Sequence, residues 1–139
     1  MSKEKYILAM TDEQAGVISR ACDFYARILN GQFNEICWET LVLNTVHPLP
    51  DDFCERRDKM EQLLLQARAC AFPELNGAGH HYGVGHDETA DIAWNVHQVI
   101  RHCRAWNNHP EGGLSLDFCK PLDISGVGMP KCEVKEEER

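Results

Sequence analysis

The chain has 139 residues and a mass of 15.8 kDa, with 43% hydrophobic and 26% charged positions, which suits one globular domain and is too short for two. Against 22 Asp and Glu stand 14 Lys and Arg, a formal charge of −8 that repels polyanions and disfavours DNA, RNA and anionic membranes as partners. Seven Cys and seven His exceed what a plain domain of this size needs.

The segment Met1 to Met10 has charges at Lys3, Glu4 and Lys5 and no apolar region or cleavage site of a secretory signal. No apolar run approaches the roughly 20 residues of a membrane span. Cys22, Cys37, Cys54, Cys70, Cys103, Cys119 and Cys132 include no C-x-x-C pair and offer no disulfide framework, so the expectation is a reduced, cytoplasmic protein. Cys22, Cys37, Cys54 and Cys103 read as small apolar core residues.

Thr11-Asp12-Glu13-Gln14 has the spacing of a capping box, and Ala15, Ile18, Ala21, Cys22, Tyr25, Ile28 and Leu29 continue from it as a helical apolar stripe. Asn30-Gly31 supplies a C-cap or kink. Phe33, Ile36, Cys37, Thr40 and Leu41 form a second helical pattern, ended by Val46-His47-Pro48-Leu49-Pro50. Asp51 or Asp52 then caps a third helix whose apolar positions are Phe53, Cys54, Met60, Leu64, Ala67 and Ala71. Arg56, Arg57 and Arg68 fall on its solvated face, where Glu55 and Lys59 are spaced for an ion pair.

Phe72 to Thr89 is the longest irregular stretch, with Gly77, Gly79, Gly83 and Gly85, and loops of that length are often functional. Asp87 or Thr89 caps a fourth helix running to about Asn107. Ile92, Val96, Val99 and Cys103 cluster on one of its sides, flanked by Ile100 and Trp106, as a core stripe. Trp94, His97, Gln98 and Arg101 cluster on the other, a face that needs either a second subunit or a ligand. After the turn Asn108-His109-Pro110-Glu111-Gly112-Gly113, the alternation in Leu114 to Phe118 predicts a half-buried strand. The expected fold is therefore mainly α: about four helices in a compact bundle with a short β element near the C-terminus. It forms a single domain over residues 1–125, followed by a loose acidic tail over 126–139.

The residues that suggest chemistry concentrate in the loop and the fourth helix, where five of the seven histidines lie between positions 80 and 102. A Trp face can stack on a ring and an Arg fork can clamp an anion. Backbone N–H groups in Gly83-Val84-Gly85, ahead of a helix start, can receive a negative group. The expected ligand-binding set is thus His80, His81, Tyr82, Gly83, Gly85, His86, Trp94, His97 and Arg101, with no catalytic residue assigned. The same loop also reads as a turn-rich connection and nothing more.

Metal-binding patterns are weaker. H-E-x-x-H is absent, and His97 and His102 lie about 140° apart on a helix. His86-Asp87, with His47 and Asp117 or Asp123 as remote partners, would be the set for a metal-dependent phosphohydrolase. Glu35 and Glu39, with Asp58 and Glu61, lack the spacing of magnesium-binding helix pairs. No cofactor is expected.

TDEQA at 11–15, NGQF at 30–33, HYGVG at 81–85, VIRH at 99–102 and HPEGG at 109–113 together resemble a group of small proteins encoded by tailed phages and prophages of Gram-positive hosts. The resemblance spans most of residues 8–134 and carries no established activity. It implies a phage accessory protein of the counter-defence type, working in the host cytoplasm. The expected function is binding and sequestration, without catalysis, of a small anionic, ring-bearing ligand such as a nucleotide-derived immune signal, by a homo-oligomer. The rival expectation is an acidic inhibitor of a host defence or nucleic-acid enzyme.

Overall fold

In the computed structural model, which describes residues 4–76 and 80–137, the fold is mainly α with four helices. Gly77 and Gly79 of the glycine-rich stretch, residues 1–3 and the end of the acidic tail at 138–139 lie outside the described residues. The helices are α1 (Asp12–Leu29), α2 (Asn34–Cys37), α3 (Phe53–Ala71) and α4 (Glu88–Asn108). No helix is long and apolar enough to cross a membrane among the described residues.

Helix α1 starts where the capping box places it. The Thr11 hydroxyl accepts from the Gln14 N–H at 3.2 Å, and the Gln14 side chain accepts from the Thr11 N–H at 3.0 Å. Asn30 closes the helix, and α2 follows directly. The chain then widens into a π-helical turn, Trp38–Val42, in which the Leu43 N–H donates to the Trp38 carbonyl five residues back. Asp52 sits at the N-cap of α3 but its side chain makes no capping hydrogen bond, nor does α3 bury the stripe expected of it. Phe53 is buried while Cys54 is exposed, and Arg68, expected on the wet side, is buried and donates to the His80 carbonyl at 2.7 Å. That bond anchors the loop ahead of α4, which is why the guanidinium turns inward.

The centre of the molecule is the α1–α4 pair. Ala26, Ala90 and Ala93 are buried between the helices, with Cys22, Leu29 and Trp94 packed around them. Small side chains let two helices approach closely. A chain of rings runs from Phe33 through Phe72 and Tyr82 to His86, with successive centroids 5.9, 6.1 and 3.4 Å apart. It ties the α1–α2 corner and the end of α3 to the loop before α4. Of the seven free thiols, Cys37 is buried, and Cys22 and Cys103 are half-buried.

Two expectations are corrected here. The predicted strand at Leu114 to Phe118 is instead a single 3₁₀ turn, Leu116–Phe118, and no strand is present among the described residues. Among the described residues there is no neighbouring strand for it to pair with, and alternation alone does not make a sheet. The faces of α4 are also reassigned. Ile92 of the expected core stripe is exposed and Val96, Val99 and Cys103 are half-buried, while His97 and Gln98 of the expected outer face are buried. Polar groups enter because each finds a partner there.

Candidate functional site

Helix α4 presents a second buried polar side to the C-terminal segment. Asn95 Nδ2 donates to Asp123 Oδ1 at 3.0 Å and to the Gly128 carbonyl at 2.8 Å. Gln98 Nε2 donates to Asn95 Oδ1 and to the Leu122 carbonyl, both at 2.9 Å. Asp123 in turn accepts from the Gly126 and Gly128 N–H groups, and the Asn95 amide and these N–H groups hold its carboxyl below the usual range. Gly128, within the 126–139 segment, is thus tied to α4.

The predicted ligand residues fall into separate places. His80 is held through its carbonyl by Arg68, and the exposed His81 ring bonds the Tyr82 carbonyl at 2.6 Å. The Tyr82 hydroxyl donates to Glu74 at 2.7 Å, which lowers the Glu74 pKa and raises that of Tyr82. The Tyr82 ring stacks flat on His86. Gly85 does receive an anion, but it is internal: its N–H donates to both oxygens of the buried Asp91 carboxylate at 3.1 Å, whereas the Gly83 carbonyl accepts from the His86 N–H. Asp87 caps α4 by accepting from the Ala90 N–H at 2.8 Å. These roles are structural, and among the described residues no group of three or more His, Cys, Asp or Glu side chains gathers to hold a metal.

His97 is committed as well. Its Nδ1 lies 2.9 Å from both the hydroxyl and the carbonyl of Ser19, whose hydroxyl donates to the His97 carbonyl at 3.0 Å. Its Nε2 faces Arg101 Nη1 at 3.4 Å. This assigns the proton to Nδ1 and leaves Nε2 as acceptor. Burial holds the ring below the ordinary imidazole pKa. Trp94 packs against the alanine core with its ring 5.2 Å from that of His97, rather than standing free for stacking.

Arg101 of the predicted set opens onto a cleft. Fourteen residues separate it from the cap at Asp87, about 21 Å along the helix axis, so no small ligand spans the loop and this guanidinium together. The cleft, about 320 Å³, lies between the C-terminal half of α4 and the 109–118 segment. Arg101, Arg104 and Asn108 line one wall, and His109, Ser115, Asp117 and Phe118 the other. Arg101 Nε is buried without an aligned hydrogen bond; the Asp117 carboxylate lies 3.3 Å away, close enough to attract but not oriented to accept. Arg104 forks onto Asp12 at 2.9 and 3.1 Å, a contact that lowers the Asp12 pKa.

Two glycines shape this cleft. A Cβ on Gly16 would meet the Arg104 guanidinium at 2.8 Å, so its absence lets that side chain cross α1 to reach Asp12. A Cβ on Gly113 would meet the Phe118 ring at 2.5 Å, so the turn can close only over a glycine. Trp106 braces the same ring edge-on at 5.4 Å and donates from Nε1 to the Phe118 carbonyl at 3.1 Å.

Sequence reasoning missed Arg104, Asn108, His109 and Ser115. A signal was available: 101, 104, 105 and 108 follow the i, i+3, i+4, i+7 spacing of one helix face, and HPEGG returns the chain over it.

The fold and cleft define a small helical protein with two arginines one turn apart at a surface pocket. Comparison with protein-family models, curated proteins and solved structures finds no match.

Proposed function

We propose that the protein binds and sequesters a small anionic, ring-bearing ligand in the Arg101–Arg104 cleft without turning it over, as a phage accessory protein directed at a nucleotide-derived signal. The observation that carries this reading is the pair of guanidinium groups at one pocket in a chain of net charge −8. Their present partners, Asp117 and Asp12, are about half exposed. Exposed ion pairs are worth only about 0–1 kcal/mol, so a phosphate can displace the unaligned Asp117 at little cost, while at Arg104 it would exchange one bidentate fork for another. The Phe118 ring, braced by Trp106, offers an apolar wall for a flat base, and Asn108, Ser115 and His109 supply hydrogen bonds. The volume falls at the low end of the roughly 300–1,000 Å³ usual for small-molecule sites.

Calorimetric titration of the full chain with cyclic dinucleotides, mononucleotides and ADP-ribose derivatives tests the reading. Saturable binding is expected, weakened at least about tenfold, or 1.4 kcal/mol, by Arg101→Ala and by Arg104→Ala. Tyr82→Phe, in the separate loop cluster, leaves it unchanged. Silence across the panel, or binding indifferent to both arginine changes, removes the proposal.

A further inference from the structure

The α1 helix carries a second apolar face that its own chain leaves open. At 100° per residue, Gln14, Val17, Ile18, Ala21, Tyr25 and Ile28 fall on one side, about 100° from the side that meets α4. Val17 is 67% and Tyr25 51% exposed. The extended segment before the helix lengthens this face, since Leu8, Ala9 and Met10 join Val17 and Ile18 in lining an apolar groove of about 460 Å³.

We infer that this face is the contact between two copies of the chain, packed antiparallel through α1 about a two-fold axis near Ala21. The area argues for a large partner. The protein exposes 10623 Å², whereas a self-contained monomer of its mass exposes about 7,300 Å². Extended segments at the two ends account for part of the surplus of about 3,300 Å², which is several times the roughly 800 Å² each side gives to a standard interface.

The arrangement of the face argues for a second copy. Reversal about Ala21 sets Val17 against the partner's Tyr25 and Gln14 against the partner's Ile28, a self-complementary pattern with the smallest side chain at its centre. Antiparallel packing also opposes the two helix dipoles.

Sedimentation of the full chain over a range of concentrations is the direct test. A dimer of twice the 15.8 kDa chain mass is expected, with Val17→Arg and Ile18→Glu each weakening it at least about tenfold while helical circular dichroism is kept. If those variants unfold, Ala21→Cys keeps the test decisive: mild oxidation should give a covalent dimer whose disulfide maps by peptide mass spectrometry to residue 21 of both copies, distinct from any bridge through the exposed Cys54, Cys70, Cys119 or Cys132. A monomer at all concentrations, or a dimer that neither variant weakens and Ala21→Cys does not cross-link, overturns the inference. The ligand reading stands apart from this outcome, because it rests on residues of α4 and the 109–118 segment.

Discussion

His97 sets a pH dependence on the α1–α4 contact. The folded ring is held neutral by burial, while in the unfolded chain it takes a proton near the ordinary imidazole value of about 6.5. Between those two values the unfolded state binds more protons, so stability rises with pH there. The contribution of His97 is complete above about 6.5 and is lost as the pH falls through the lower folded value. Urea melts at pH 7.5 and 5.5 should show the parent weakening on acidification, and His97→Gln should flatten that slope. Gly16→Ala makes a second residue-level test. Removing a mid-helix glycine favours α1 by about 0.5–1 kcal/mol, yet the new Cβ pushes on the Arg104 guanidinium. Thermal stability should hold or rise while ligand affinity falls, a split that a purely structural Arg104 would not produce.

At the scale of elements, the two long sides of α4 explain what was legible in the sequence and what was not. Its start at Asp87 and the capping box of α1 could be read directly, because a cap is a local hydrogen bond between residues three apart. The inward side of α4 could not be read from hydropathy, since Asp91, Asn95, His97 and Gln98 are buried by partners as far off as Ser19, Leu122 and Gly128. Ile92 shows the converse, an apolar residue left outside because α1 approaches from the alanine side. The glycine-rich loop drew attention for its length, whereas the anion that its Gly85 N–H receives is the protein's own Asp91. If the Asn95–Gln98 pair holds the C-terminal segment, Gln98→Ala should cost about 1–3 kcal/mol by leaving Asn95 Oδ1 and the Leu122 carbonyl unpaired. Limited proteolysis should then cut within residues 119–130 before the parent is cut there.

Across the whole molecule, stability is unevenly spread. The α1–α4 pair holds the alanine core, the Ser19–His97 contact and the Arg104–Asp12 fork, whereas α3 packs chiefly on the short α2 and buries only Phe53 and Arg68 of its 19 residues. A helix with so little burial is held mainly by its own hydrogen bonds, whereas most helical stability in proteins comes from tertiary packing. Its lack of a side-chain cap removes a further contribution of about 1 kcal/mol. Local opening of α3 should therefore be nearly independent of global unfolding. Amide exchange followed by mass spectrometry should find the interior N–H groups of α3 exchanging at least about tenfold faster than those of α1 and α4. The Arg68 bond to the His80 carbonyl couples that opening to the start of the loop ahead of α4, so residues 80 and 81 should exchange with α3, whereas the Tyr82 N–H, bonded to the Asn30 carbonyl, and the Gly85 N–H, bonded to Asp91, should follow α1 and α4. Equal protection across all three long helices would mean that α3 is covered by something the single chain does not supply.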